Sequence, residues 1–171
     1  GDGINDEYPV IYDQTNPTNG AELVTNGDFS SGTTGFDAYQ GSLSVSDGNL
    51  VVTATANNDT RLRTTVSIST VVGRTYLATA ELKTMSGSKV GIAYNDATSF
   101  TYSGSTQELT STGSFKNTFT AANTTTGIVF KMFDANTGQS FSIDNVALKE
   151  IQGNPAIMIN SGGGADFSDG I

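Results

Sequence analysis

The chain contains no cysteine, no histidine and no tryptophan among its 171 residues. Without cysteine there is no disulfide framework, no thiolate metal site and no cysteine nucleophile. Without histidine the usual general base is missing, and with it the Ser-His-Asp triad and nearly every zinc site. Charged residues are only 15% of the chain, against about a quarter in an average domain. No apolar run approaches the length of a membrane-spanning helix. Basic residues are outnumbered 17 to 8, for a formal net charge of −9. An anionic surface repels phosphate backbones and acidic lipid, so neither nucleic-acid binding nor membrane insertion is expected.

Gly, Ser, Thr and Asn fill the gap, and 9 Phe and 6 Tyr supply bulky apolar area. This length suits one domain with extensions, and it buries a core without covalent staples. Residues 1–20 hold two prolines, clustered acids and no sustained period. They read as an extended arm, with Tyr8, Val10, Ile11 and Tyr12 as a docking patch. Residues 21–151 change to short alternating segments, and residues 152–171 return to Gly-rich linker with a small apolar group from Ala156 to Ile159. The first residue is Gly rather than Met, which points to a processed product or a piece of a longer polypeptide.

The middle region predicts strand after strand. "AYQGSLSV" places Tyr39, Leu43 and Val45 on one face, and "NLVVTATA" does the same with Leu50, Val52, Ala54 and Ala56. Asp47-Gly48 between them is a short-hairpin signal. In "RLRTTVSIS", Leu62, Val66 and Ile68 point one way, and Arg61, Arg63, Thr65 and Ser67 the other. Val90, Ile92 and Tyr94 share a parity in "KVGIAY". Eight to ten such strands, with no segment of helical period, predict an all-β, antiparallel two-sheet sandwich.

Two stretches break the alternation. In "SFSIDNVALKEI", Phe141 and Ile143 have one parity and Val146 and Leu148 the other. All four face a core only if the strand gains a residue at Asp144-Asn145, which is a β-bulge. In "NGDFSSGTTGF", Phe29 and Phe36 bracket a Gly/Ser/Thr loop and are expected to bury its two ends.

"ELVTNGDFSSGTTGF", "VVGRTY" and "IDNVALKE", in that order and spacing, resemble the family 4/9/22 carbohydrate-binding-module jelly rolls, which are galactose-binding-like sandwiches. The Gly/Thr-rich wording resembles copies in bacteriophage virion and tail-fibre proteins. The resemblance spans residues 21–151. It implies a first loop lying beside the last strand around a structural Ca2+, with Gly27 and Asp28 facing Asp144. Calcium takes hard carboxylate and carbonyl oxygens, which these positions supply. The sequence departs from the family at Ser30, where an acid is usual, and at Phe36, where Trp is common.

Catalysis is not expected, because acids such as Asp47, Asp59 and Asp96 stand singly where glycoside hydrolysis takes a pair. "DANTGQ", Asp134 to Gln139, reads as a hairpin turn. For sugar binding the candidates are Tyr94, Phe100 and Tyr102 as stacking rings, Asn95 and Asp96 between them, and Arg61 and Arg63 as donors. The competing reading puts Tyr94 in the core, with Val90 and Ile92, and leaves the arginines as solvated charges. Two functions follow from the resemblance. One is a virion decoration or connecting module held by other virion subunits or flanking domains. The other is a fibre or spike module that binds a cell-surface glycan. The missing Trp and the extended ends favour the first, on the outside of a virion particle.

Overall fold

Alternate side chains from Asn49 to Ala54 and from Thr60 to Thr64 are buried, and this period of two builds a pair of facing sheets. The computed structural model describes residues 20–152. The arms expected at residues 1–19 and 153–171 lie outside the described residues. Eleven strands run in chain order: β1 (Phe36–Tyr39), β2 (Gly41–Ser46), β3 (Asn49–Ala54), β4 (Asn58–Thr64), β5 (Ile68–Ser69), β6 (Thr75–Met85), β7 (Val90–Asn95), β8 (Thr106–Leu109), β9 (Gly113–Thr120), β10 (Thr125–Ala135) and β11 (Ser140–Glu150). There is no helix among the described residues.

A front sheet has the order β1-β4-β10-β7-β8, with β5 paired to β10; a back sheet has the order β2-β3-β11-β6-β9. Every pairing is antiparallel. The chain crosses between sheets seven times, after β1, β3, β5, β6, β8, β9 and β10, which is the jelly-roll kind of sandwich. Leu50, Val52, Leu62, Ile92, Phe130 and Phe141 meet between the sheets, fully buried. Each contributes about 1.5–3 kcal/mol by leaving water. The Phe115 and Phe130 rings join the sheets edge to face, 5.7 Å apart.

The hairpin at Ser46–Asn49 forms as expected, with Asp47 (φ 53°) and Gly48 (φ 79°) both left-handed. That conformation matches the twist of the flanking strands. The bulge in β11 forms too. Its register against β6 shifts between Asp144 and Ala147, Asn145 adopts φ 52°, and Phe141, Ile143, Val146 and Leu148 are all buried.

Three expectations need correction. Residues 38–45 are not one strand, because Gln40 turns the chain at φ 53°. Tyr39 ends a front-sheet strand and Leu43 lies in the back sheet, so they share no face, and Tyr39 and Val45 are exposed. Val66 is exposed, because β4 stops at Thr64 and the alternation carries no further. "DANTGQ" is not a hairpin. It carries the chain from β10 in the front sheet to β11 in the back sheet, through a turn closed by the Gln139 N–H to Asn136 O bond.

The loop before β1 is pinned at both ends. Phe29 and Phe36 are buried with their rings edge to face at 5.1 Å. Between them the Asn26 amide donates to the Gly32 and Thr34 carbonyls, and its oxygen accepts the Ser31 N–H. Gly27 then lies directly on the β11 bulge, its carbonyl accepting the Val146 N–H at 2.9 Å.

Candidate functional site

In β1, Phe36 faces the core, so Asp37 and Tyr39 face outward. Cross-strand register carries this outward face across the sheet as a row: Tyr39 opposite Arg61, Arg61 opposite Lys131, Lys131 opposite Gly91, and Gly91 opposite Glu108. The next row runs from Asp37 to Arg63, Val129, Ala93 and Thr106.

The connection between β7 and β8, residues 96–105, folds back over these rows. Arg61 donates through Nη1 to the Phe100 carbonyl at 2.7 Å, and Arg63 through Nη1 to the Thr98 carbonyl at 2.6 Å. The Asn95 amide donates to the Ser99 and Thr101 carbonyls, both at 3.1 Å. The Phe100 ring sits 4.8 Å from the Arg63 guanidinium, and Lys131 lies 5.5 Å from the Tyr102 ring and 4.3 Å from that of Phe133. Gly91 makes this cover possible, since a Cβ there would collide with the Tyr102 hydroxyl. Burial, and then the nearby Glu108 carboxylate, push the Tyr102 phenol up to about 12, so it stays neutral.

At the β1 end the cover stops, leaving an open cleft of about 440 Å³ lined by Tyr39, Gln40, Asn58, Asp59, Arg61, Phe100 and Thr101. The Tyr39 and Phe100 rings stand 5.9 Å apart, tilted by 47°. Asp59 accepts from Arg61 at 3.2 Å and pairs with Lys131 at 3.4 Å.

Arg61, Arg63, Asn95, Phe100 and Tyr102 thus gather at one face. Tyr94 does not join them. It points into the sandwich and stacks on Phe119 at 3.8 Å and 15°, following the parity of Val90 and Ile92. Asn95 is buried and its amide is spent on the covering loop, while Asp96 is exposed with its carbonyl accepting the Thr125 hydroxyl. Gln40, Asn58 and Thr101 carry no site signal in the residue order, Tyr39 reads there as a core-facing residue, and Asp59 as a lone turn acid. One signal was present: a strand beginning at Phe36 gives Tyr39 the parity of Asp37, hence the outer face.

The expected calcium position lies at the other edge. Glu22, Asn26, Gly27, Asp28 and Asn145 help line a cleft there of about 320 Å³. The bulge presents Asn145 to this cleft rather than Asp144, and the Asn145 amide donates to Glu81 at 2.9 Å. One Asp28 oxygen accepts the Ser30 N–H and hydroxyl, which hold its carboxyl below the usual carboxylate range. One Glu22 oxygen accepts two backbone N–H groups, of Val24 and Leu148, and the Gly27 carbonyl is taken by Val146. Among the described residues no three His, Cys, Asp or Glu side chains stand together to hold a metal. Calcium takes six to eight oxygens; Asp28 and Glu22 each keep one oxygen uncommitted, and two carboxylates without a third are a thin donor set for it. The melting temperature is therefore expected to be the same in millimolar calcium and in chelator. A calcium-dependent rise that Asp28→Asn removes would restore the metal.

No protein-family model matches the chain, and no curated protein matches it in sequence. Solved structures match its fold. A CBM4 structure is 16% identical with a TM-score of 0.57, the match covering 74% of this chain and 98% of that one. The CBM22-1 xylan-binding domain from Paenibacillus barcinonensis Xyn10C is 12% identical with a TM-score of 0.55, covering 78% and 97%. The Stig cyclase Fisc from Fischerella sp. TAU is 11% identical with a TM-score of 0.55, covering 77% and 98%. At these identities the likeness is one of fold, and the chain is a carbohydrate-binding-module-like jelly-roll β-sandwich.

Proposed function

We propose that this chain is a non-catalytic module that binds a glycan in the Tyr39–Phe100 cleft. The observation that carries the reading is the pairing of two tilted aromatic rings with a carboxylate, two side-chain amides and a guanidinium around one open cleft. Pyranose rings offer apolar C–H faces for aromatic stacking, and their hydroxyls need both donors and acceptors. Tyr39 supplies the platform that the missing Trp would otherwise give. Glycoside hydrolysis takes two carboxylates flanking the bond; this cleft is lined by one, Asp59, which two cations already hold. The CBM4 and xylan-binding neighbours agree with a sugar ligand through fold alone.

The setting in which we place the module is the outside of a virion, attached to other virion subunits or flanking domains. That part rests on the wording of the sequence, and the front-sheet cleft favours attachment to a glycan over mere decoration.

A glycan array probed with wild type and Tyr39→Ala tests the reading. Wild type is expected to bind at least one neutral polysaccharide, and Tyr39→Ala to bind it at least about tenfold more weakly, a loss of roughly 1.4 kcal/mol. Equal binding by both proteins, or none by wild type, would remove the cleft from consideration.

A further inference from the structure

Beneath the 96–105 loop three buried polar atoms have no hydrogen-bond partner: Arg61 Nε, Arg63 Nε and Asn95 Oδ1. Buried groups of this kind are rare and costly, and here they share one cover. Each guanidinium gives the loop a single Nη1 bond, to a neutral carbonyl, and leaves its Nε bare. A guanidinium prefers a carboxylate that takes Nε and Nη together, in two parallel charge-assisted bonds. The loop carbonyls take only Nη1, while Nη2, which shares an edge with Nε, faces Asp59 in Arg61 and Asp37 in Arg63 without either aspartate reaching Nε.

Charge agrees with this. In a chain of net charge −9 with only 8 basic residues, four of them, Arg61, Arg63, Lys89 and Lys131, are gathered here around Asp37, Asp59 and Glu108. The loop is tied at its two ends, by the Thr125 hydroxyl to the Asp96 carbonyl and by Asn117 to Ser105, and its middle is held by side-chain donors of the sheet. Phe100 and Tyr102 lie on the arginine and lysine side chains through ring–cation contacts, and Tyr102 lies on bare backbone at Gly91. Gly104, at φ 78°, provides a turning point at its far end.

We propose that residues 96–105 are a displaceable strap acting as a built-in competitor, and that with the strap lifted the Arg61–Arg63–Lys131 row binds a carboxylate-bearing saccharide. This rests on the glycan reading in one respect: the open cleft at Tyr39 and Arg61 is the entrance to the covered row. The acidic sugar enters there, displaces the Phe100 and Thr98 carbonyls, and places its carboxylate on the freed Nη1 groups beside Lys131. A neutral sugar stays in the open cleft and leaves the strap in place.

Gly91→Ala sets a methyl group where the Tyr102 hydroxyl lies and should lift the strap. Acetylation of Lys131, followed by mass spectrometry against Lys116 in the same sample, should then rise several-fold. Calorimetric titration with tetragalacturonate should show binding at least about tenfold tighter in Gly91→Ala than in wild type, and the gain should vanish when Arg63→Gln is added. Affinity for a neutral xylo-oligosaccharide should fall in Gly91→Ala, because the lifted strap carries Phe100 and Thr101 out of the open cleft. Tyr102→Ala, which removes the ring and adds nothing to the sheet, should reproduce the gain if Gly91→Ala does not fold. Unchanged Lys131 reactivity in both variants overturns the strap, and a reactive Lys131 without tighter tetragalacturonate binding overturns the acidic ligand. Acid binding that persists when no neutral sugar binds supports this inference and counts against the neutral-glycan cleft alone.

Discussion

Phe29→Ala is expected to destabilise the domain by about 3–5 kcal/mol in urea denaturation, the range for removing a buried aromatic ring. Phe29 is 3% exposed and its ring meets that of Phe36 at 5.1 Å, so truncation opens a cavity at the base of the loop. Alanine gains nothing in return, because position 29 sits at φ 58°, where any residue with a Cβ is strained. Against a typical total of about 5–15 kcal/mol, such a loss is a large fraction of the fold's stability. A change below about 1 kcal/mol would mean that the loop is not pinned at this end.

Gly27→Ala should be comparably damaging for a different reason. A Cβ at position 27 would run into the Val146 carbonyl, which belongs to backbone and not to a side chain that can swing away. The same two residues share the Gly27 O to Val146 N–H bond, so separating them also breaks a hydrogen bond at the bulge. Overpacking usually costs about 1–3 kcal/mol and more where nothing yields; here about 3 kcal/mol or above is expected. Gly32→Ala is the control. It has open space but φ 66°, and should cost only about 1–2 kcal/mol of backbone strain. If Gly27→Ala denatures no earlier than Gly32→Ala, the close approach of loop and bulge is wrong.

Both predictions concern a region that was largely readable from residue order. The parity break between Ile143 and Val146 demanded an extra residue at Asp144-Asn145, and a pair of phenylalanines around a Gly/Ser/Thr loop demanded a place to bury them. Alternation is less informative about which sheet a strand joins. It defines a buried face, but β1 and β2, separated only by Gln40, belong to different sheets, as do β10 and β11. That is why Tyr39 was grouped with Leu43 and why "DANTGQ" looked like a hairpin.

The site was half legible for a related reason. Arg61 and Arg63 declared their face through the burial of Leu62 between them. Tyr94 followed the core parity of Val90 and Ile92, and its ring serves packing. Gly91, which lets Tyr102 lie against the sheet, contributes by lacking a side chain, and an absent group leaves no pattern to read. The partnership of Tyr39 with Phe100 spans distant parts of the chain and depends on the covering loop, which alternation does not describe.

The most direct test of the glycan-binding cleft is an NMR titration of the wild-type protein with the neutral oligosaccharide selected by the array. Saturable shifts are predicted at Tyr39 and Asp59 and at the side-chain amides of Gln40 and Asn58, with the back sheet and residues 26–36 unmoved. Shifts confined to the back sheet or to residues 26–36, or no saturable shift at all, would contradict it.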